Sequence, residues 1–272
     1  MIKHAIITGG SSGIGKAVAK LLASSGANIS LIARDEKKLK KAQQEVKDVV
    51  ASDEQKILSF VADVSKRSEI TKAIQNAIAE QGTPDLLITS AGVAIPGYFE
   101  DIPIETFERT MRVNYFGSLY AVKAVLPAMQ TANRGNIVFI SSGAGLIGLF
   151  GYTAYSPSKF ALRGLAESLR GELKPQGIKV SIVYPPDTDT PQLIAENKTK
   201  PPETKAITAT AETWSPEGVT NEIIKGIKKQ QFAITPGMEI TALNRFHSLL
   251  LPLLNRYFDR LVTKVKKLKI EN

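Results

Sequence analysis

Asn136-Ile137-Val138-Phe139-Ile140-Ser141-Ser142, answered downstream by Tyr155-Ser156-Pro157-Ser158-Lys159, is the stretch on which the reading of this chain turns. The apolar run 136–140 is short and uninterrupted, the pattern of a strand buried on both faces of a parallel sheet. It ends in two serines and a Gly-rich loop, and a helical pattern begins near Ala154. Tyr155 and Lys159 are four residues apart, so on that helix they lie one turn apart on the same face. A phenol, an ammonium and a hydroxyl then converge at the carboxyl end of a strand, where open α/β sheets bind their ligands. Tyr-x-x-x-Lys alone arises by chance in many helices, and its weight here comes from what precedes it.

Upstream, Ala5-Ile6-Ile7-Thr8 reads as a first strand, followed by Gly9-Gly10-Ser11-Ser12-Gly13-Ile14-Gly15 and a helical pattern through Val18, Leu21 and Leu22. Glycines at 9, 13 and 15 allow a tight turn and a close approach of a pyrophosphate to amides at a helix N-terminus. A dinucleotide is therefore expected on Thr8, Gly9, Ser11, Ser12, Gly13, Ile14 and Gly15. A second strand, 28–33, ends at Arg34, where an NAD-binding fold usually carries an acid for the ribose hydroxyls. Arg34, with Lys37 and Lys38 following, favours a 2′-phosphate and hence NADP(H). A solvated arginine beside a helix starting at Asp35 is the plainer alternative.

A third strand, 57–62, leads to Asp63 and Val64. Asp63 suits either an adenine amino group or the N-cap of the next helix. A fourth strand, 85–89, runs into Ser90-Ala91-Gly92, which places Ala91 and Gly92 beside the cofactor. A long helical pattern covers 105–129, interrupted only by Gly117, with Asn114 a polar residue on a generally apolar helix. A sixth strand, 178–184, closes in Pro185-Pro186-Asp187-Thr188-Asp189-Thr190-Pro191. The polar segment from Gln192 to Thr213 reads as a lid spanning about 191–214. Ser215-Pro216-Glu217 opens another helix, with Ser as N-cap and Pro at its first position. A short strand at 232–235 completes seven strands alternating with helices. This pattern predicts an α/β fold, a Rossmann-type, doubly wound, seven-stranded parallel sheet in a single domain over 1–238.

Residues 239–272 read as an amphipathic, basic C-terminal helical segment. Leu243, Phe246, Leu250, Leu253, Tyr257, Leu261, Val265 and Leu268 recur in steps of three and four, which predicts a helix bent or broken at Pro252. Docking on its own domain or a partner subunit is one role. With Arg256, Arg260, Lys264, Lys266, Lys267 and Lys269 against Asp259 alone, peripheral contact with an anionic membrane through 243–269 is another. No aromatics are interleaved for base stacking, so nucleic acid is not an expected partner.

Composition bounds the rest. The 272 residues, 43% hydrophobic and 22% charged, suit one large domain. The chain has no cysteine and only two histidines, His4 and His247, far apart in sequence, so no metal site is expected. The net charge of +9 is concentrated in the tail. Residues 2–7 are too short for a signal peptide and run directly into the glycine motif. No stretch approaches the roughly 18 apolar residues of a membrane span. A cytoplasmic location is expected, peripheral at the cytoplasmic membrane face if the tail binds lipid.

Thr8-Gly-x-x-x-Gly13-x-Gly15, Asn114, Ser142 and Tyr155-x-x-x-Lys159, in this order and spacing, resemble the short-chain dehydrogenase/reductase family over about residues 3–190. Thr89-Ser90-Ala91-Gly92 departs from the family's common Asn-Asn-Ala-Gly. A narrower likeness, to 3-ketodihydrosphingosine reductases, rests on Gly148 through Tyr155, Phe160 through Glu167, Tyr184-Pro-Pro-Asp-Thr-Asp-Thr-Pro191 and Glu196 through Pro201 with Glu203-Thr204. The double proline 185–186 is its clearest mark. The resemblance implies hydride transfer from NADPH to a ketone of a long-chain keto lipid, with Asn114, Ser142, Tyr155 and Lys159 catalytic. Tyr155 would donate the proton, Ser142 would bond the carbonyl oxygen, and Lys159 would lower the phenol's pKa and hold the nicotinamide ribose. Asn114 would hold a water linking Lys159 to solvent. Pro185, Thr188 and Thr190 would meet the nicotinamide. A homo-oligomer, dimer or tetramer, is also expected. Alternatives are another lipophilic ketone, a 3-oxoacyl thioester or a steroid, or a NADPH-binding sensor without turnover.

Overall fold

Seven apolar segments become seven parallel strands because each can bury both faces only between two layers of helices. They are β1 (His4–Thr8), β2 (Asn28–Ala33), β3 (Ile57–Val61), β4 (Leu86–Thr89), β5 (Gly135–Ile140), β6 (Ile178–Val183) and β7 (Ala233–Ile234). The computed structural model describes residues 2–209 and 211–270, apart from the side chains of Lys269 and Ile270. Lys269, the last cation of the basic tail cluster, thus lies outside the described side chains.

The strand order is β3-β2-β1-β4-β5-β6-β7, with every pairing parallel. Alternate side chains feed opposite layers. Ile6, Leu87, Ile137 and Phe139 join one core, and Ala5, Ile7, Leu86, Ile88 and Val138 join the other. The first layer contains α3 (Arg67–Gln81), α5 (Gly117–Thr131) and α6 (Tyr155–Leu173), with α4 (Ile104–Met111) packed on α6, while α1 (Gly13–Ser24) and α2 (Glu36–Lys47) cover the other face. Strand order reverses between β1 and β4, so a crevice opens where Thr8, paired with Thr89, gives way to Gly9. The expected doubly wound sheet is present, with β7 shorter than the predicted 232–235.

Three local expectations are corrected. The helix predicted over 105–129 is interrupted not at Gly117 but just before it, by a wide π-turn at Arg112–Phe116. Gly117 instead permits close packing, since a Cβ there would lie 2.8 Å from Val64 Cγ2. The lid is built of helices: α7 (Pro191–Thr199), with Thr190 Oγ1 accepting from Leu193 N, and α8 (Pro202–Thr208). It is followed by α9 (Pro216–Lys228), which Ser215 caps as expected. The tail forms α10 (Met238–Ile270), but its break falls at Phe246 (φ −118°, ψ 24°), six residues ahead of Pro252. Pro252 lacks the N–H that would bond the Ser248 carbonyl and sterically opposes that turn, so distortion is expected on its N-terminal side. No helix among the described residues is long and apolar enough to cross a membrane.

Candidate active site

At the end of β1 the chain must turn at once beneath β4. Gly9 does so at φ +71°, and a Cβ there would lie 2.6 Å from Ala91 N. No other residue type fits that contact at that backbone angle. Gly15 packs the first turn of α1 on the loop, because its Cβ would meet Gly9 O at 2.6 Å. Ser12 precedes α1 without capping it by its side chain, and no acid occupies the first turn. The positive end of the helix dipole is therefore not neutralised by the chain, as an anion-binding N-terminus requires.

A cavity of about 890 Å³ extends from this loop. It is lined by Gly9, Ser11, Ser12, Gly13 and Ile14, by Arg34, Lys38, Asp63 and Val64, by Ala91 and Gly92, and by Pro185, Thr188 and Thr190. Ser142, Tyr155 and Lys159 line the same space. Of the expected site residues, Thr8, Gly15 and Asn114 do not face it. Thr8 is buried and its Oγ1 accepts from Ala91 N at 3.4 Å, a supporting position. Arg34 and Lys38 are exposed at the rim, and the Arg34 charge reaches Asp63. Asp63 does not cap α3, whose N-cap is Lys66. Its Oδ1 instead accepts from Ser65 N and Oγ at 2.9 and 2.7 Å, closing a turn.

The helix α6 begins at Tyr155 and buries one face under the loop after β5. Tyr155 and Lys159 lie on that face, with Lys159 Nζ 5.5 Å from the Tyr155 ring centroid. Nζ donates to the Ile140 carbonyl at 3.0 Å, which ties it to the end of β5. Burial pulls the Lys159 ammonium down to about 8, against the charge of Glu196. Burial pushes the Tyr155 phenol well above its usual range, and the Glu196 charge adds to this. Hydrogen bonding with Ser142 and Gln192 acts the other way. The net shift of this phenol is therefore upward, opposite in direction to the lowering that the Tyr-x-x-x-Lys spacing alone suggests. The ammonium lies by the ring and donates to Ile140 O, and desolvation with the Glu196 charge outweighs the opposing hydrogen bonds.

Asn114 sits in the π-turn, fully buried. Its Oδ1 accepts from Val93 N at 2.9 Å, and its Nδ2 donates to Val93 O at 3.0 Å and to Ser158 Oγ at 2.9 Å. Both amide functions are committed to protein, so the side chain braces the strand-β4 loop against α6. Ser142 Oγ accepts from Ala144 N at 3.1 Å and also engages Tyr155.

Sequence reasoning missed what the lid brings in. Glu196 is only 7% exposed, yet it lines the cavity. Its Oε2 accepts from Tyr152 OH at 2.7 Å and its Oε1 from Gln192 Nε2 at 2.9 Å. The Tyr152 and Tyr155 rings lie 5.6 Å apart. Lys200, almost fully buried, pairs with Asp187 at 3.3 Å. A polar run reads as solvated, and only the periodic placement of Glu196 one turn after Gln192 on a capped helix hinted otherwise. From the tail, Ile240, Leu243, Leu250, Leu254, Tyr257 and Phe258 also line the cavity, so α10 covers its apolar end.

Comparison with known proteins agrees with this architecture. In solved structures, the chain is similar to a short chain dehydrogenase/reductase from Burkholderia phymatum in complex with NAD, with a TM-score of 0.81 and 23% identity over 92% of this chain and 94% of that one. A short-chain dehydrogenase from Streptomyces avermitilis gives 0.79 and 23% identity over 97% and 99%. In sequence, it is 47% identical to the 3-dehydrosphinganine reductase of Danio rerio over 86% of this chain and 71% of the relative. It is 41% identical to the 3-ketodihydrosphingosine reductase of Dictyostelium discoideum over 98% and 84%. The short chain dehydrogenase family model matches residues 3–201, and with the fold and these relatives it establishes that the chain belongs to the short-chain dehydrogenase family.

Proposed function

We propose that the protein reduces 3-ketodihydrosphingosine to dihydrosphingosine with NADPH. The observation that carries this reading is one continuous cavity joining Arg34 and Lys38, the Tyr155–Lys159 pair and the apolar wall of α10. Relatives at 41–47% identity that are named for this reaction support the choice of ketone.

The residues present fit a dinucleotide. Gly9 to Ile14 open onto the cavity, the N-terminus of α1 carries no acid, and Arg34 at the cavity rim would supply the cation for a 2′-phosphate. When bound, NADPH supplies a hydride. Tyr155 donates a proton to the carbonyl oxygen as charge develops there, and Ser142 bonds the same oxygen. Lys159, held by Ile140 O, supplies positive charge beneath the phenol. Asn114 fixes Val93 and Ser158, and thereby the position of α6. Pro185, Thr188 and Thr190 would border the nicotinamide. The lid and α10 exclude water and bury the alkyl chain, which strengthens each of these interactions.

The outer side of α10 exposes Phe246, Leu249 and Leu253 beside the basic cluster. This suits peripheral contact with an anionic membrane, at its cytoplasmic face, by a helix lying in the interface. A dimer or tetramer is the assembly proposed for the chain. Purified protein assayed with 3-ketodihydrosphingosine, a 3-oxoacyl thioester and a steroid ketone, each with NADPH and NADH, tests the reading. A preference for the long-chain base with NADPH is expected, and faster turnover of either other ketone refutes it.

A further inference from the structure

Glu196 has a feature the reaction as derived above does not use. It is a buried carboxylate, within the substrate cavity, whose hydrogen-bond partners are the neutral groups Tyr152 OH and Gln192 Nε2. Among the described residues no lysine or arginine forms an ion pair with it. The nearby buried cation, Lys200, pairs with Asp187, and Lys159 bonds Ile140 O. A carboxylate withdrawn from water is costly unless a cation or several donors compensate it. The other buried lid carboxylate, Glu203, accepts from Tyr98 OH and does not line the cavity. Glu196 therefore differs in being presented to whatever enters.

Its placement fixes what could complete it. Glu196 is joined through Tyr152, whose ring lies 5.6 Å from that of Tyr155, and through Gln192, which bonds both Glu196 and the phenol. A ketone oxygen at Tyr155 would thus lie in the same part of the cavity as Glu196, whose charge reaches the phenol. On the substrate reading given above, the ketone carries an amine on the adjacent carbon. We propose that the Glu196 carboxylate is the subsite for the 2-ammonium group of the substrate, selecting amino ketones over simple long-chain ketones. Gln192 and Tyr152 hold the carboxylate in place, and the ammonium supplies the direct ion pair that Lys159, which only acts on it through space, does not.

The test compares wild type with Glu196→Gln, which keeps the size and the acceptor for Tyr152 but removes the charge. Substrates are 3-ketodihydrosphingosine and its analogue lacking the amine, 1-hydroxyoctadecan-3-one. A charge-assisted hydrogen bond lost in a buried site lowers kcat/KM for the amino ketone by about 10- to 100-fold, mainly through KM. The ratio of the two kcat/KM values is the readout, since removing the Glu196 charge from beside Tyr155 acts on both ketones alike and the analogue never made the contact. Equal losses on both ketones would assign Glu196 a structural role in the lid and overturn the proposal, as would no loss on either. NADPH affinity, read by its fluorescence, should be the same in both proteins and reports that the variant is folded. Should the variant fail to fold, wild type alone decides. Dihydrosphingosine must then inhibit at least about tenfold better than its N-acetyl derivative, and equal inhibition refutes the subsite. Wild type that reduces neither ketone overturns the substrate reading and this inference together. Wild type that reduces both while the variant keeps the same preference overturns the inference alone.

Discussion

Replacing Lys159 with methionine should change the pH dependence of stability in a direction opposite to that of most buried acids. The ammonium is buried beside Ile140 O and falls from 10.5 to about 8 in the folded chain. At about 1.4 kcal/mol for each tenfold change, the folded state gives up about 3 kcal/mol to keep this group protonated. Below pH 8 both folded and unfolded chains carry the proton, and the cost is constant. Between about 8 and 10.5 the folded chain has released it and the unfolded chain has not, so stability rises with pH. Lys159→Met removes this dependence.

Leaving the Ile140 carbonyl without its donor costs about 1–3 kcal/mol, which offsets much of the relief at neutral pH. The difference between wild type and variant at a single pH is therefore a poor test, and its change with pH is a good one. Tyr155, raised by burial and Glu196, is present in both proteins, and its contribution largely cancels in the comparison. From pH 7.5 to 9.5 the wild type should gain about 2 kcal/mol on the variant. In urea, with a slope of about 3 kcal/mol/M, the midpoints should converge or separate by about 0.7 M over that range. A difference that stays flat would show that Lys159 is not desolvated as its surroundings imply. The same variant should lose about 10²- to 10⁴-fold in kcat.

Three other outcomes are expected. Tyr155→Phe should lower kcat by about 10²- to 10⁴-fold while NADPH still binds, as measured in single-turnover and titration experiments; retained turnover would leave the phenol without its role. Arg34→Ala should raise KM for NADPH about tenfold or more and leave KM for NADH nearly unchanged, because only the 2′-phosphate meets the guanidinium; equal effects in steady-state assays would remove the basis for the cofactor choice. Wild type should sediment with anionic vesicles, and Leu249→Glu with Leu253→Glu, both at exposed positions, should reduce the bound fraction by about threefold or more; unchanged sedimentation would restrict α10 to its role as a cover.

The elements that were legible in the sequence are those set by local rules. Strand periodicity, the glycines at 9, 13 and 15, and the i, i+4 pair Tyr155 and Lys159 each imply their own geometry. The π-turn at Arg112–Phe116 carries no such mark, because Asn114 within it bonds Val93 and Ser158 from elements distant in sequence. Pro252 is the breaker visible in the sequence, whereas the non-helical residue is Phe246, which no breaker residue marks. The lid read as a polar connection. Thr190 and Pro191 are an N-cap and a first-turn proline, so the start of α7 was available from sequence, but the burial of Glu196 was not. It depends on Tyr152, 44 residues earlier, arriving at the same place.

That dependence also explains why the titration of Tyr155 differs from what the Tyr-x-x-x-Lys spacing suggests. Spacing puts a cation one turn from the phenol, and in isolation the phenol would be lowered. In the folded chain the same packing that aligns the pair removes both from water, and the lid adds the negative charge of Glu196. Each effect keeps Tyr155 protonated. For a group that must give up a proton only when charge develops on the substrate, a phenol held neutral until then is a competent acid, not a defective one. Lys159 supplies positive charge beside the phenol, and the negative charge developing on the ketone oxygen draws the proton across. On the proposed reading, the ammonium at Glu196 would offset the charge that adds to desolvation in holding the phenol high, so binding of an amino ketone would also favour proton release from Tyr155.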